Sequence, residues 1–178
     1  MLPPLVERAL ARSVLAGFTK SCSPETGRLL QVLAGQRGRA RVAEIGTGCG
    51  VGSAWILSAL DPEVRFFTVE LDAQRAADAA ELLAGDENAT VLAGDWRDVL
   101  AREAPFDLLF ADGGKAKHHE EIAALLAPGG TLFLDDLTPG YDGHDQVREL
   151  WLSHPRLLAA ELQISPREAV IVGTLQPR

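Results

Sequence analysis

Acidic residues standing at the ends of short apolar runs are the groups able to do chemistry in this chain. They are Glu44, Glu70, Asp95, Asp112, Asp135 and Asp136. Glu44 precedes Gly46-Thr47-Gly48-Cys49-Gly50-Val51-Gly52, a run with glycine at every second position, and Ser53 opens the apolar stretch beyond it. Such a turn lets a ligand approach the main chain, and the helix that follows offers free N–H groups. It reads as a nucleotide-type site at the carboxyl end of a first strand. The dinucleotide spacing G-x-G-x-x-G fails, because its last glycine would fall on Val51, and no G-K-[S/T] follows to make a P-loop. Glu70 ends the run Phe66-Phe67-Thr68-Val69, roughly 20 residues beyond the glycines, where a carboxylate can accept hydrogen bonds from ribose hydroxyls.

Two further acidic sets end later apolar runs, Asp112 after Leu108-Leu109-Phe110-Ala111 and Asp135-Asp136 after Leu132-Phe133-Leu134. Neighbouring parallel strands end side by side, so these three carboxylates should converge on one crevice. They repel one another unless a cation neutralises them, and a few carboxylates with substrate oxygens suit Mg²⁺.

The elements that must position these residues follow from periodicity. Pro3-Pro4 starts a helix that runs to Gly17, and Ser23-Pro24-Glu25 caps and opens a second that ends at Gly35. Strands are expected near 41–45, 65–69, 90–93, 107–111, 131–134, 157–164 and 168–174, with helices over 52–60, 72–84, 96–103, 116–126 and 143–153. Near-continuous apolar strands alternating with helices specify an α/β fold, a doubly wound, mostly parallel sheet of seven strands covered on both faces. Only Ser165-Pro166-Arg167 separates the last two strands, so they form an antiparallel hairpin. The chain reads as one domain over 1–178, amino-terminal helices over 1–36 and a sheet core over 37–178.

Composition narrows the partners. A formal net charge of −8 argues against a nucleic acid, which usually meets a basic face. Glu7, Arg8 and Arg12 interrupt the apolar start, so no signal peptide or membrane span is expected there. Free thiols at Cys22 and Cys49 in the cytoplasm fit that reading.

Glu44-x-Gly46-x-Gly48-x-Gly50 resembles motif I of the class I S-adenosylmethionine-dependent methyltransferases, and the reversed final strand of the sheet is what that Rossmann-like family shows. The resemblance implies that Gly46, Gly48, Gly50 and Ser53 pack on the cofactor, with Glu44 near its amino group, directly or through water, and Asp112 also within the cofactor site. It places Glu70 on the ribose, Asp95 on the adenine amine or as a helix cap, and Trp96 as ring cover or core. Asp112-Gly113-Gly114-Lys115 and Asp135-Asp136 look like the metal-dependent catechol and caffeoyl-coenzyme A O-methyltransferases. In that family an acid after the fourth strand and an Asp-Asn pair after the fifth hold Mg²⁺, and a lysine takes the proton. Here these positions carry Asp112, Asp135, Asp136 and Lys115, with Asp136 in the place of Asn. A phenol, with a pKa near ~10, is a poor nucleophile until a cation and a base assist it.

The activity so implied is O-methylation of a small catechol-like or vicinal-diol acceptor. A metal-independent methyltransferase and a non-catalytic S-adenosylmethionine-binding module remain as alternatives. The last hairpin turns tightly where the family carries a longer loop, which leaves the acceptor wall thin, absent or completed by a second subunit. The apolar amino-terminal helix either packs on that second copy, giving a homodimer, or closes the cofactor cleft.

Overall fold

The computed structural model describes residues 1–113 and 115–177. Seven strands form one sheet in the order β3-β2-β1-β4-β5-β7-β6. They are β1 (Arg41–Ile45), β2 (Arg65–Glu70), β3 (Ala89–Ala93), β4 (Phe106–Ala111), β5 (Leu126–Leu137), β6 (Leu157–Ser165) and β7 (Glu168–Leu175). β1 pairs in parallel with β2 and β4, β2 with β3, and β4 with β5. β7 runs antiparallel to both β5 and β6, entering between them. The sequence thus specifies the strands and the reversed hairpin, and the chain reverses at β1, from which β2 and β4 depart to opposite sides.

Strand alternation divides the core between the two faces. Val42, Phe66, Leu108, Phe110 and Phe133 join one cluster with α1 (Pro4–Leu15), α2 (Pro24–Ala34) and α3 (Val51–Leu57). Ala43, Phe67, Leu109, Leu132 and Leu134 join the other, with Ile122 and the fully buried Trp151. Burial on both faces is why these strands read as unbroken apolar runs, and each large side chain removed from water contributes roughly 1.5–3 kcal/mol. The Ser23 cap is where the sequence puts it, and a second cap stands at Asp72. Ser23 accepts the Thr26 N–H, and Asp72 accepts the Arg75 N–H at the start of α4 (Ala73–Leu82).

The expected helices over 96–103 and 116–126 are not continuous. α5 spans only Trp96–Val99, and the second becomes two short 3₁₀ segments, Ala116–His118 and Glu120–Leu125. The reason is tertiary. The Lys117 carbonyl accepts the Trp151 indole N–H at 2.6 Å, and His119 between the segments is extended. The indole comes from α6 (Gln146–Leu152), so the chain here is turned toward a distant element rather than wound into one continuous helix. No helix among the described residues is long and apolar enough to cross a membrane.

Candidate active site

A cavity of about 1120 Å³ opens at the carboxyl ends of β1, β2, β4 and β5. Gly46 and Gly48 form its floor, Glu70 and Arg75 one wall, Asp95 and Trp96 another, and Asp112, Lys115 and Asp136 the far end. The segment after α1, Gly17 to Cys22, lies along its rim. The helix α1 itself lines none of the cavity; Leu5, Val6 and Ala9 pack into the core with α3.

The glycine turn is tight for a stated reason. Gly46 has φ +97°, and a Cβ there would stand 2.5 Å from the Gly113 backbone, so the turns after β1 and β4 touch. Gly113 closes the contact by donating its N–H to the Ile45 carbonyl at 2.6 Å. Gly50 does not line the cavity; it caps the start of α3.

Glu44 and Ser53 are placed differently from expectation. Both are fully buried, and neither lines the cavity. Glu44 accepts hydrogen bonds from the Ser53 and Thr68 hydroxyls, the latter at 2.7 Å, while its Oε1 is unpartnered. Oε1 occupies the space that a Cβ on Gly52 would need, at 2.2 Å, so the carboxylate sits beneath the turn. It supports the floor from below and does not reach into the cavity. Burial pushes its carboxyl up to about 7, against the lowering effect of the two hydroxyl bonds.

Glu70 does face the cavity. Its carboxylate accepts the Gly48 N–H at 2.9 Å, the Asp72 N–H at 3.0 Å and an Arg75 N–H at 3.1 Å. A carboxylate has about four lone-pair sites, so three are taken before any ligand arrives. Holding two ribose hydroxyls therefore requires the half-exposed Arg75 to let go. Asp95 caps α5 by accepting the Arg97 N–H at 2.9 Å, and the Arg97 guanidinium lies 4.5 Å from the centre of the Trp96 ring. Both Asp95 and Trp96 remain on the cavity wall, so capping and ligand contact are compatible.

The three aspartates come together. One carboxylate oxygen from each of Asp112, Asp135 and Asp136 lies within 4.8 Å of the others. Asp135 has no exposure, and neither of its carboxylate oxygens has a hydrogen-bond partner. Burial, then the neighbouring Glu44 and Asp136 charges, push Asp112 up to about 8. Burial raises Asp135 as well, with Asp112 and Asp136 adding to it. A buried, unpartnered carboxylate among two others is relieved either by a retained proton or by a hard cation.

The lysine that meets this cluster is not Lys115. Lys115 lines the cavity and is exposed. Lys117 is buried, and its ammonium donates to the Asp135 carbonyl at 2.9 Å and stands 3.5 Å from Asp136 Oδ2. One residue, Ala116, separates them, and the Trp151 indole bonds to the carbonyl of the buried one. Thr68 was equally hidden in the sequence, since its role depends on the strand beside it.

Residues 43–137, more than half of the chain, match the family model described as a methyltransferase domain. The chain belongs to that family. A methyltransferase relative from Mycobacterium sp. (strain JLS), which carries the name of an O-methyltransferase, is 35% identical over 137 residues, 72% of this chain and 62% of that protein. The chain therefore spans less than two thirds of that curated relative. Among solved structures, the cofactor-bound Rv0187 protein from MTB is 26% identical, with a TM-score of 0.84 over 99% of this chain and 92% of that one. The O-methyltransferase TomG from Streptomyces achromogenes, in complex with SAM, is 24% identical with a TM-score of 0.83, covering 99% and 92%. That last likeness is one of fold. In this methyltransferase domain the glycine turn and β2 acid fall inside the matched span, as do all three clustered aspartates.

Proposed function

We propose that the protein is an S-adenosylmethionine-dependent O-methyltransferase acting on a small catechol-like or vicinal-diol acceptor, with a divalent cation such as Mg²⁺ held by Asp112, Asp135 and Asp136. The observation that carries the reading is the unpartnered, fully buried Asp135 carboxylate, within ligand reach of Asp112 and Asp136, which line the far end of a cavity floored by the glycine turn. The relatives' names add support for O-methyl transfer, and the structures solved with SAM or an unspecified cofactor add support for the donor.

The cavity is large enough for a nucleoside sulfonium with an acceptor beside it. Gly46 and Gly48 give the donor's backbone a surface without side chains, and Glu70 offers its remaining lone pair to the ribose. Asp95 and Trp96 stand where the base would lie. The bound cation would lower the acidity threshold of an acceptor hydroxyl and fix its position. The acceptor oxygen attacks the methyl carbon as the carbon–sulfur bond breaks. The sulfonium becomes a thioether, S-adenosylhomocysteine, and the hydroxyl proton leaves to a base. Lys115, on the cavity wall, is assigned that base role, and Lys117 is already engaged by Asp135 and Asp136.

A panel of catechols and vicinal diols incubated with methyl-labelled donor tests the reading. Methyl ethers formed on catechols but not on isolated phenols support it. Donor binding without transfer to any acceptor would favour the non-catalytic alternative.

A further inference from the structure

Lys117 is one of the few charged side chains in the buried core, at 7% exposure. Its surroundings fix it from both ends. The main-chain carbonyl accepts the indole N–H of the fully buried Trp151, and the ammonium donates to the Asp135 carbonyl at 2.9 Å. The same ammonium lies 3.5 Å from Asp136 Oδ2. Asp136, in turn, has φ +60°, the one described residue other than glycine in that region. A non-glycine residue keeps such a conformation only where its surroundings over-determine it. Beside this pair stands the Asp135 carboxylate with no partner, within ligand reach of Asp112 and Asp136.

We infer that Lys117 is the built-in counter-cation of the aspartate cluster, a positioning residue that holds Asp136 and competes with an added divalent ion for the same carboxylates. The inference rests on the reading of those aspartates as cation ligands. Three carboxylates and one ammonium carry a formal charge that a divalent ion just cancels, so the lysine sets how strongly the ion is held. Like charges a few ångströms apart in a partly buried site interact by more than a tenfold change in affinity. The lysine therefore keeps the cluster folded without an ion and weakens the ion's binding. A residue of purely structural importance would act in the opposite direction, since its loss would loosen the ligands and weaken binding.

The experiment is titration of the purified protein with Mn²⁺ alone, followed by the paramagnetic signal of the free ion. It compares the parent with Lys117→Gln, which keeps a donor for the Asp135 carbonyl, Lys117→Met, and the charge-preserving Lys117→Arg. Cooperative unfolding and unchanged S-adenosylmethionine affinity show that each variant is intact, and Met replaces Gln in the comparison if Gln fails. The expected result is Mn²⁺ binding at least about tenfold tighter in the neutral variant, with Lys117→Arg within about threefold of the parent. Binding in the neutral variant but not in the parent would support the counter-cation role while removing the proposal of a cation in the working enzyme. Equal or weaker binding in the neutral variant, with binding in the parent, would overturn the role and leave the cation proposal standing. A gain in Lys117→Arg as large as in the neutral variant would also overturn it. Binding in no protein would overturn both.

Discussion

Glu70 at the end of β2 accepts the backbone N–H of Gly48 at 2.9 Å, so the acid and the glycine turn are one piece. The turn is not merely permitted by glycine but held in place by a carboxylate that also lines the cavity. Glu70→Ala removes that bond together with those to Asp72 and Arg75. S-adenosylmethionine affinity should fall by roughly 1.5–3 kcal/mol, as for other hydrogen bonds to charged groups. Calorimetry on the variant checks this, and unchanged affinity would remove Glu70 from the donor site.

Glu44 gives the methyltransferase a pH-dependent stability. Its folded-state carboxyl is raised from 4.5 to about 7 by burial, so the folded chain binds a proton that the unfolded chain releases. Stability is then greatest below the unfolded value and declines as pH rises through about 7. Asp112, raised to about 8, acts with the same sign. Glu44→Gln should stay stable across that window, with a gain over the parent at pH 8 of about 3 kcal/mol at most. Urea unfolding of both proteins at pH 5, 6.5 and 8 measures it. Parallel pH profiles would contradict the assignment.

The fold was legible in the sequence because apolar runs and caps are local signals. All seven strands, the final hairpin and the Ser23 and Asp95 caps follow from residues within a few positions of one another. What was hidden depends on contacts between distant residues. Glu44 turns beneath the glycines because Thr68, on the next strand, offers a hydroxyl. Lys117 rather than Lys115 enters the cluster, through contacts to Asp135 and Asp136 on β5, and Trp151 on α6 holds its carbonyl. That bond lies where the helix that periodicity predicts over 116–126 is replaced by two 3₁₀ segments.

Trp151→Phe tests that bond directly. It leaves the Lys117 carbonyl without its donor in a buried setting, which should cost about 1–3 kcal/mol. Thermal unfolding reads the loss. A variant as stable as the parent would mean that the indole contributes only its bulk.

Asp135 should show a trade between stability and function. Its carboxyl is buried with both oxygens unpartnered and is raised by that burial, so Asp135→Asn removes the cost of ionising it, or of keeping it protonated, in the cation-free protein. The variant should melt higher than the parent without cation, by about 1 kcal/mol or more of added stability. It should also lose the further stabilisation that Mg²⁺ gives the parent. Differential scanning calorimetry with and without Mg²⁺ separates the two effects, and a lower melting temperature without cation would contradict the account.

The central claim is cation-assisted methyl transfer to an oxygen, and one titration addresses it. Methylation of catechol by labelled S-adenosylmethionine is followed as Mg²⁺ is added to chelator-treated protein. The account predicts negligible transfer in chelator, restoration that saturates with Mg²⁺, and loss of most of that response in Asp112→Ala and Asp135→Ala. Full activity in excess chelator, unchanged in both variants, would contradict it.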